Sequence, residues 1–241
     1  MKKIYKILLL LAILLVSCKF PTSQRNKKPY IVITFDDQYV SQYTEALPIL
    51  NDYGFKVTNF INTARIGTEG RCTWQMIEEM EFDYGWEIGG HSLNHPYLPN
   101  ISLEKMRHEI EQDWQNLRAR GLSHESFAIP SGSIDPDRLA IVLEFYQNIR
   151  NSMDNQLFYP IDRTNLGYFS YDSSFTPQTI ISRFIRATEN GEYAVILGFH
   201  KIADDDEGFG ANCPPEEFRD IMQWIFDNDY EVVTIKELIR K

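Results

Sequence analysis

The sequence predicts an α/β protein in which helices cover a mostly parallel sheet, built as a single domain. Three observations carry this expectation. From Tyr30 onward, strand-like and helix-like stretches alternate about seven times. At 241 residues, the chain suits one large α/β domain, and a barrel-like closure better than an open three-layer sheet. The residues best suited to chemistry follow directly on strand-like runs, where parallel α/β folds place their active sites.

The elements follow in order. "YIVITF" is a short apolar β run, and "SQYTEALPILNDYG" has apolar residues at helical spacing and stops at Gly54. "FKVTNFIN" is β-branched and aromatic, hence a strand; "TWQMIEEMEFDYG" is helical; "WEIGGH" is a short strand running into glycines. "SLEKMRHEIEQDWQNLRARG" is the clearest helix, with Ser102 as N-cap, Glu104 in the first turn and Gly121 after the end. "ESFAIP" is a strand stopped by Pro130, and "DPDRLAIVLEFYQ" a helix with Pro136 near its start. Residues 148–177 read as irregular. "PQTIISRFIRATENG" is a helix, "YAVILGFH" an apolar strand, "PPEEFRDIMQWIFDNDY" a helix, "EVVT" a strand and "IKELIRK" a closing helix.

The N-terminus reads as a targeting segment. Basic "MKKIYK" precedes apolar "ILLLLAILLV", the length of a signal-peptide core and short for a bilayer span. "LVSC" then resembles the lipobox of bacterial lipoproteins. That resemblance implies a leader at 1–17, a lipidated Cys18 that anchors the protein to a membrane, and a cell-envelope location. Residues 18–28 are polar and read as a tether, leaving 29–241 for the domain. Loss of Lys2, Lys3 and Lys6 with the leader takes the formal charge from −10 to −13. Such acidity gives no electrostatic footprint for nucleic acid and leaves neutral substrates, cationic polymers and metal ions open. A monomer is expected. The remaining cysteines, Cys72 and Cys213, fit either a disulfide or two buried thiols, and neither has zinc-finger spacing.

Four strand ends carry polar residues: Asp36 and Asp37 after "IVITF", His91 and His95 in "HSLNHP" after "WEIGG", "PSG" (130–132) after "SFAI", and His200 after "AVILGF". The other two histidines, His108 and His124, lie in and after the long helix and read as surface or packing residues. Two imidazoles and a carboxylate form a common ligand set for a divalent metal that keeps positions open: zinc, or cobalt, nickel, manganese or iron. A bound cation also explains why two adjacent acids can both stay ionised, one ligating and the other taking protons.

On these residues the sequence resembles the polysaccharide deacetylases, the NodB-homology domain of carbohydrate esterase family 4, over about residues 29–241. "TFDD" (34–37) is similar to that family's first motif, which implies Asp36 as catalytic base and Asp37 as metal ligand. "HSLNHP" (91–96) is similar to H-[ST]-x-x-H-P, implying His91 and His95 as metal ligands. "ILGFH" (196–200) is similar to the last motif, implying His200 as general acid. The family fold is an irregular (β/α) barrel of seven strands. The third motif departs. Where R-x-P-x-G is common, "FAIPSG" has Ala128 in place of the Arg that braces the base, which moves the expectation for that role to Arg163 in "PIDRTN". No residue matches the acid that orients the catalytic His, although Asp162 and Asp172 lie nearby in sequence.

The expected function is metal-dependent removal of acetyl groups from an N- or O-acetylated polysaccharide or oligosaccharide. Two alternatives stay open: a glycan-binding lipoprotein on an inactivated deacetylase fold, and an amidohydrolase of the same fold acting on a small amide. Aromatic loop segments "QYVSQY", "HPYLP" and "GYFSYD" suit either sugar stacking or packing.

Overall fold

Alternation along the first strand, β1 (Tyr30–Asp36), sets the architecture. Ile31, Ile33 and Phe35 point to one side, into a large apolar cluster shared with the helices, while Tyr30 and Val32 point to the other. With a side-chain period of two, Thr34 and Asp36 share the inner side with Tyr30 and Val32. The structure, a computed structural model, describes residues 27–204 and 212–241. The expected leader, Cys18 and most of the tether lie outside the described residues.

Six more parallel strands join β1: β2 (Thr58–Ile61), β3 (Glu87–Gly90), β4 (Ser126–Ala128), β5 (Asn148–Arg150), β6 (Phe169–Ser170) and β7 (Ala194–Phe199). Their order is β5-β4-β3-β2-β1-β7-β6. Segment 163–171 meets both edges. Ile149 N–H donates to Arg163 C=O and Leu166 N–H to Ile149 C=O on the β5 side, and β6 pairs with β7. The sheet therefore curls into an irregular barrel. Its interior holds Val32, Phe60, Ala128, Leu166, Tyr168 and Ile196, among others. Each large apolar side chain buried there stabilises the fold by about 1.5–3 kcal/mol relative to exposure. β8 (Lys201–Ile202) and β9 (Asn212–Cys213) form a small separate sheet.

The helices are α1 (Leu47–Asp52), α2 (Trp74–Phe82), α3 (Leu103–Ala119), α4 (Pro136–Val142), α5 (Pro177–Asn190), α6 (Pro215–Asp227) and α7 (Ile235–Arg240). Their caps follow the sequence. Ser102 Oγ accepts from Lys105 N–H, Thr73 accepts from Met76 N–H, and Gly191 ends α5 at φ 71°, a left-handed turn that costs glycine nothing. A π-helical turn, Gln42–Ala46, precedes α1 in what reads as one continuous helix from sequence.

Two expectations are corrected. "EVVT" is not a strand; Val232 makes a single bridge with Ile31. Pairing of β1 with β2 starts only at Thr34↔Thr58, and residues 231–233 fill the β1 edge left open below it. The irregular stretch 148–177 contains β5 and β6, too short to show a period. Cys72 and Cys213 are buried free thiols, so the disulfide alternative falls away. Among the described residues no helix is long and apolar enough to cross a membrane.

Candidate active site

The C-terminal ends of β1, β3, β5 and β7 converge on a cavity of about 690 Å³. Asp36, Asp37, His91, His95 and His200 all line it, together with Arg65, Arg71, Arg150 and Tyr168. His108 and His124 do not.

The first turn explains how two adjacent acids divide. Asp36 ends β1 facing inward and is 4% exposed. Asp37 follows at φ 69° and Gln38 at φ 39°, so the chain turns sharply and directs the second carboxylate to the rim. Left-handed backbone is unfavourable for such residues and persists only where the surroundings enforce it. Here Asp37 N–H donates to Phe60 C=O, and Arg71 donates to Asp37 C=O. Gln38 and Asn62 exchange main-chain and side-chain hydrogen bonds across the turn.

Strain recurs in the histidine loop, with Ser92 at φ 66° and His95 at φ 60°. Helix α3 holds that loop from behind. Glu109 accepts from the N–H and side chain of Asn94, Ser92 Oγ accepts from His95 N–H, and Asn62 Nδ2 donates to His91 C=O. Asp113, fully buried, accepts from Thr63 and Tyr146, and burial pushes its carboxyl up to about 7. Gly90 has no room for a side chain, because a Cβ there would lie 2.1 Å from the Tyr146 hydroxyl and 2.6 Å from Asp113.

Asp37, His91 and His95 present ligand atoms that lie within 4.8 Å of one another. Metal bonds of about 2.1 Å put ligand atoms at most about 4.2 Å apart, so small side-chain rotations suffice. Two further observations fit an ion. Asp37 Oδ1 is buried with no hydrogen-bond partner. His91 Nδ1 lies 2.7 Å from Ala128 C=O, which fixes the proton there and leaves Nε2 as a lone-pair donor facing the cavity. Burial, opposed by Asp36 and Asp37, lowers His91 to about 4, so the imidazole is neutral near pH 7, as a ligand must be.

Arg150 is the residue that the sequence reading missed. Its Nη2 donates to both oxygens of Asp36, at 2.7 and 2.5 Å, and its guanidinium lies 3.9 Å from the centroid of Tyr168. Arg163, the sequence-based expectation for this role, is exposed and donates only to Gln147, away from Asp36. The reason lies in the strand register. Arg150 pairs with Ala128 across β4 and β5, so both side chains sit at one level on the inner face. The guanidinium absent from position 128 thus enters from the next strand. A charged residue ending the short run "QNIR" is the signal available. Burial pushes the Asp36 carboxyl up, but Arg150, His91 and His200 outweigh it and hold it below the usual carboxylate range.

His200 Nε2 lies 3.8 Å from Asp36 Oδ2. Gln42, turned inward by the π-helical turn, donates to the carbonyls of both Asp36 and His200 and accepts from Asn59. It thereby ties the ends of β1 and β7 together. His200 Nδ1 is buried with no hydrogen-bond partner. Asp162 and Asp172 each cap their own turns, at Thr164 and Ser174, and neither reaches His200.

A parallel barrel thus gathers two carboxylates and three histidines at one rim, and three of these side chains could hold a metal. The sequence profile described as Polysaccharide deacetylase matches residues 23–146, half of the chain, and the chain belongs to the polysaccharide deacetylase family, hydrolases of acetylated carbohydrate. It is 35% identical over 217 residues to the peptidoglycan-N-acetylglucosamine deacetylase of Bacillus cereus, covering 89% of this chain and 90% of that protein. Another curated relative is matched over only 32% of its own length. Among solved structures, a family 4 acetyl xylan esterase from Clostridium thermocellum is 21% identical, with a TM-score of 0.61 over 88% of this chain and 90% of that one. A family pseudoenzyme from Bacillus anthracis is 19% identical, with a TM-score of 0.60 over 89% and 66%. Likeness at these identities establishes the fold, so the activity has to be argued from the site.

Proposed function

We propose that this protein is a metal-dependent deacetylase of an N- or O-acetylated polysaccharide or oligosaccharide. The single observation that carries this is the separation of roles at β1: Asp37, with a buried oxygen lacking any partner, faces two imidazoles, while Asp36 is held ionised by Arg150.

Asp37, His91 and His95 would hold a divalent ion, with zinc first and cobalt, nickel, manganese or iron also suited to the donors. When bound, such an ion polarises the acetyl carbonyl and lowers the pKa of a water from about 15.7 towards about 7. Asp36 takes the proton of the attacking water. Arg150 keeps Asp36 ionised and aimed, and a backbone N–H near Asp37 would stabilise the developing oxyanion. His200, whose Nε2 lies 3.8 Å from Asp36 Oδ2, gives a proton to the departing amine or alkoxide, a step that an amide needs more than an ester. Acetate and the deacetylated sugar leave.

A second reading is favoured by one observation, the unpartnered Nδ1 of His200. Without an acid to fix its tautomer, the general acid is weakened, as in a glycan-binding protein on an inactivated fold. Acetate release separates the two. Zinc- or cobalt-reconstituted protein, incubated with acetylated chitin, peptidoglycan and xylan oligomers, releases acetate under the first reading. Binding without acetate from any oligomer supports the second. We place the enzyme in the cell envelope, anchored through a lipidated Cys18 and acting as a monomer. Metabolic labelling with a fatty acid, lost in Cys18→Ala, checks the anchor.

A further inference from the structure

Among the described residues, three arginines line the cavity, and two are committed. Arg150 is bound to Asp36, and Arg71 donates to the Asp37 carbonyl with its guanidinium 3.8 Å from the Tyr39 ring centroid. Arg65 differs. It ends the 3-10 turn Thr63–Arg65 after β2, and its main chain is tied down on both sides. Arg65 N–H donates to Asn62 C=O at 3.0 Å, and Thr68 Oγ1 donates to Arg65 C=O at 2.7 Å. Asn62 is also the residue that holds the His91 carbonyl, so the position of Arg65 is coupled to that of the metal ligands. Among the described residues, its half-buried guanidinium has no ion-pair partner and donates no hydrogen bond.

The charge balance adds a second observation. Among the described lining residues, three arginines against two aspartates leave a formal charge of +1 with the histidines neutral, and +3 with a divalent ion bound. The chain as a whole carries −10. With Arg150 paired to Asp36 and Arg71 beside Asp37, the positive charge left over is that of Arg65, which a neutral sugar does not balance.

Resting on the deacetylase reading above, we propose that Arg65 makes this cavity selective for acetylated glycans bearing an acidic group, carboxylate or phosphate, near the sugar that is deacetylated. The planar guanidinium fork matches either anion in two-point contact, while a neutral hydroxyl accepts only one of its donors.

The test uses the zinc-loaded protein and three tetrasaccharide probes. One is neutral N-acetylglucosamine, one alternates N-acetylglucosamine with N-acetylmuramic acid, and one carries a 6-phosphate. The wild type is expected to show kcat/KM at least about tenfold higher on one acidic probe than on the neutral one, and which probe gains tells carboxylate from phosphate. Arg65→Gln should lower kcat/KM on the acidic probe more than on the neutral one, bringing the two to within about twofold of each other, and Arg65→Lys should retain part of the preference. Equal kcat/KM on all three probes, or an equal loss on all three in Arg65→Gln, overturns the inference and leaves the deacetylase reading standing. If the wild type releases acetate from none, the deacetylase reading fails. Calorimetric binding of the same probes then decides Arg65: tighter acidic binding, lost in Arg65→Gln, supports it, and equal binding overturns it.

Discussion

Replacing Arg150 by Met removes the guanidinium while keeping an apolar stem between Phe60 and Tyr168. Arg150 and Asp36 are both buried, with side chains 2% and 6% exposed, and the pair makes two short hydrogen bonds. Breaking such a pair from one side leaves an uncompensated buried carboxylate, which costs about 3–5 kcal/mol. The pH dependence carries a definite sign. Asp36 is held below its ordinary value of 3.8, so its pairing stabilises the fold above that pH and is lost as pH falls through the lowered folded value. In Arg150→Met, burial is opposed only by the histidines, and the carboxyl rises above its ordinary value. The folded variant then binds a proton before the unfolded chain does, so its deficit shrinks as pH falls. Urea unfolding of metal-free protein at pH 7 and pH 4.5 measures this, with Arg163→Met within about 0.5 kcal/mol of the wild type as the surface control. Asp36→Asn combined with Arg150→Met should recover part of the loss, giving a non-additive cycle. A deficit below about 1 kcal/mol, or one equal at both pH values, would refute the assignment of Arg150 as the partner that keeps Asp36 charged.

Further outcomes follow from the same geometry. Asp36→Asn should lose about 10²–10⁴-fold in kcat while binding zinc as the wild type does, whereas His95→Ala should lose zinc and turnover together; metal content and acetate release read both. In chelator-treated protein, the lowering of His91 from 6.5 to about 4 means that the unfolded chain binds more protons in that window, so His91 makes stability rise with pH by up to about 3 kcal/mol. Asp113, raised to about 7, gives the opposite slope over an overlapping window, so the measurement is the difference between wild type and His91→Asn. Burial raises both thiols, Cys72 to about 12, so a thiol reagent should label neither Cys72 nor Cys213 before unfolding.

Strand–helix alternation, the long capped helix α3 and the placement of acids and histidines after strands were all readable in the chain. They depend on local periodicity and on the rule that parallel strands end at one rim. The "EVVT" stretch and residues 148–177 were not readable, because a three-residue strand has no period and a single bridge has no sequence signature.

Asp36, Asp37, His91, His95 and His200 could be picked out from residue type and position along single strands. That Arg150 replaces the missing arginine could not, because this depends on the pairing of Ala128 with Arg150 between β4 and β5. The same holds for Gln42, which reaches the Asp36 and His200 carbonyls because a π-helical turn redirects it. Residue order fixes what each strand offers at its end. Which side chains then share a level, a face and a partner depends on register and curl, set by packing across the whole barrel.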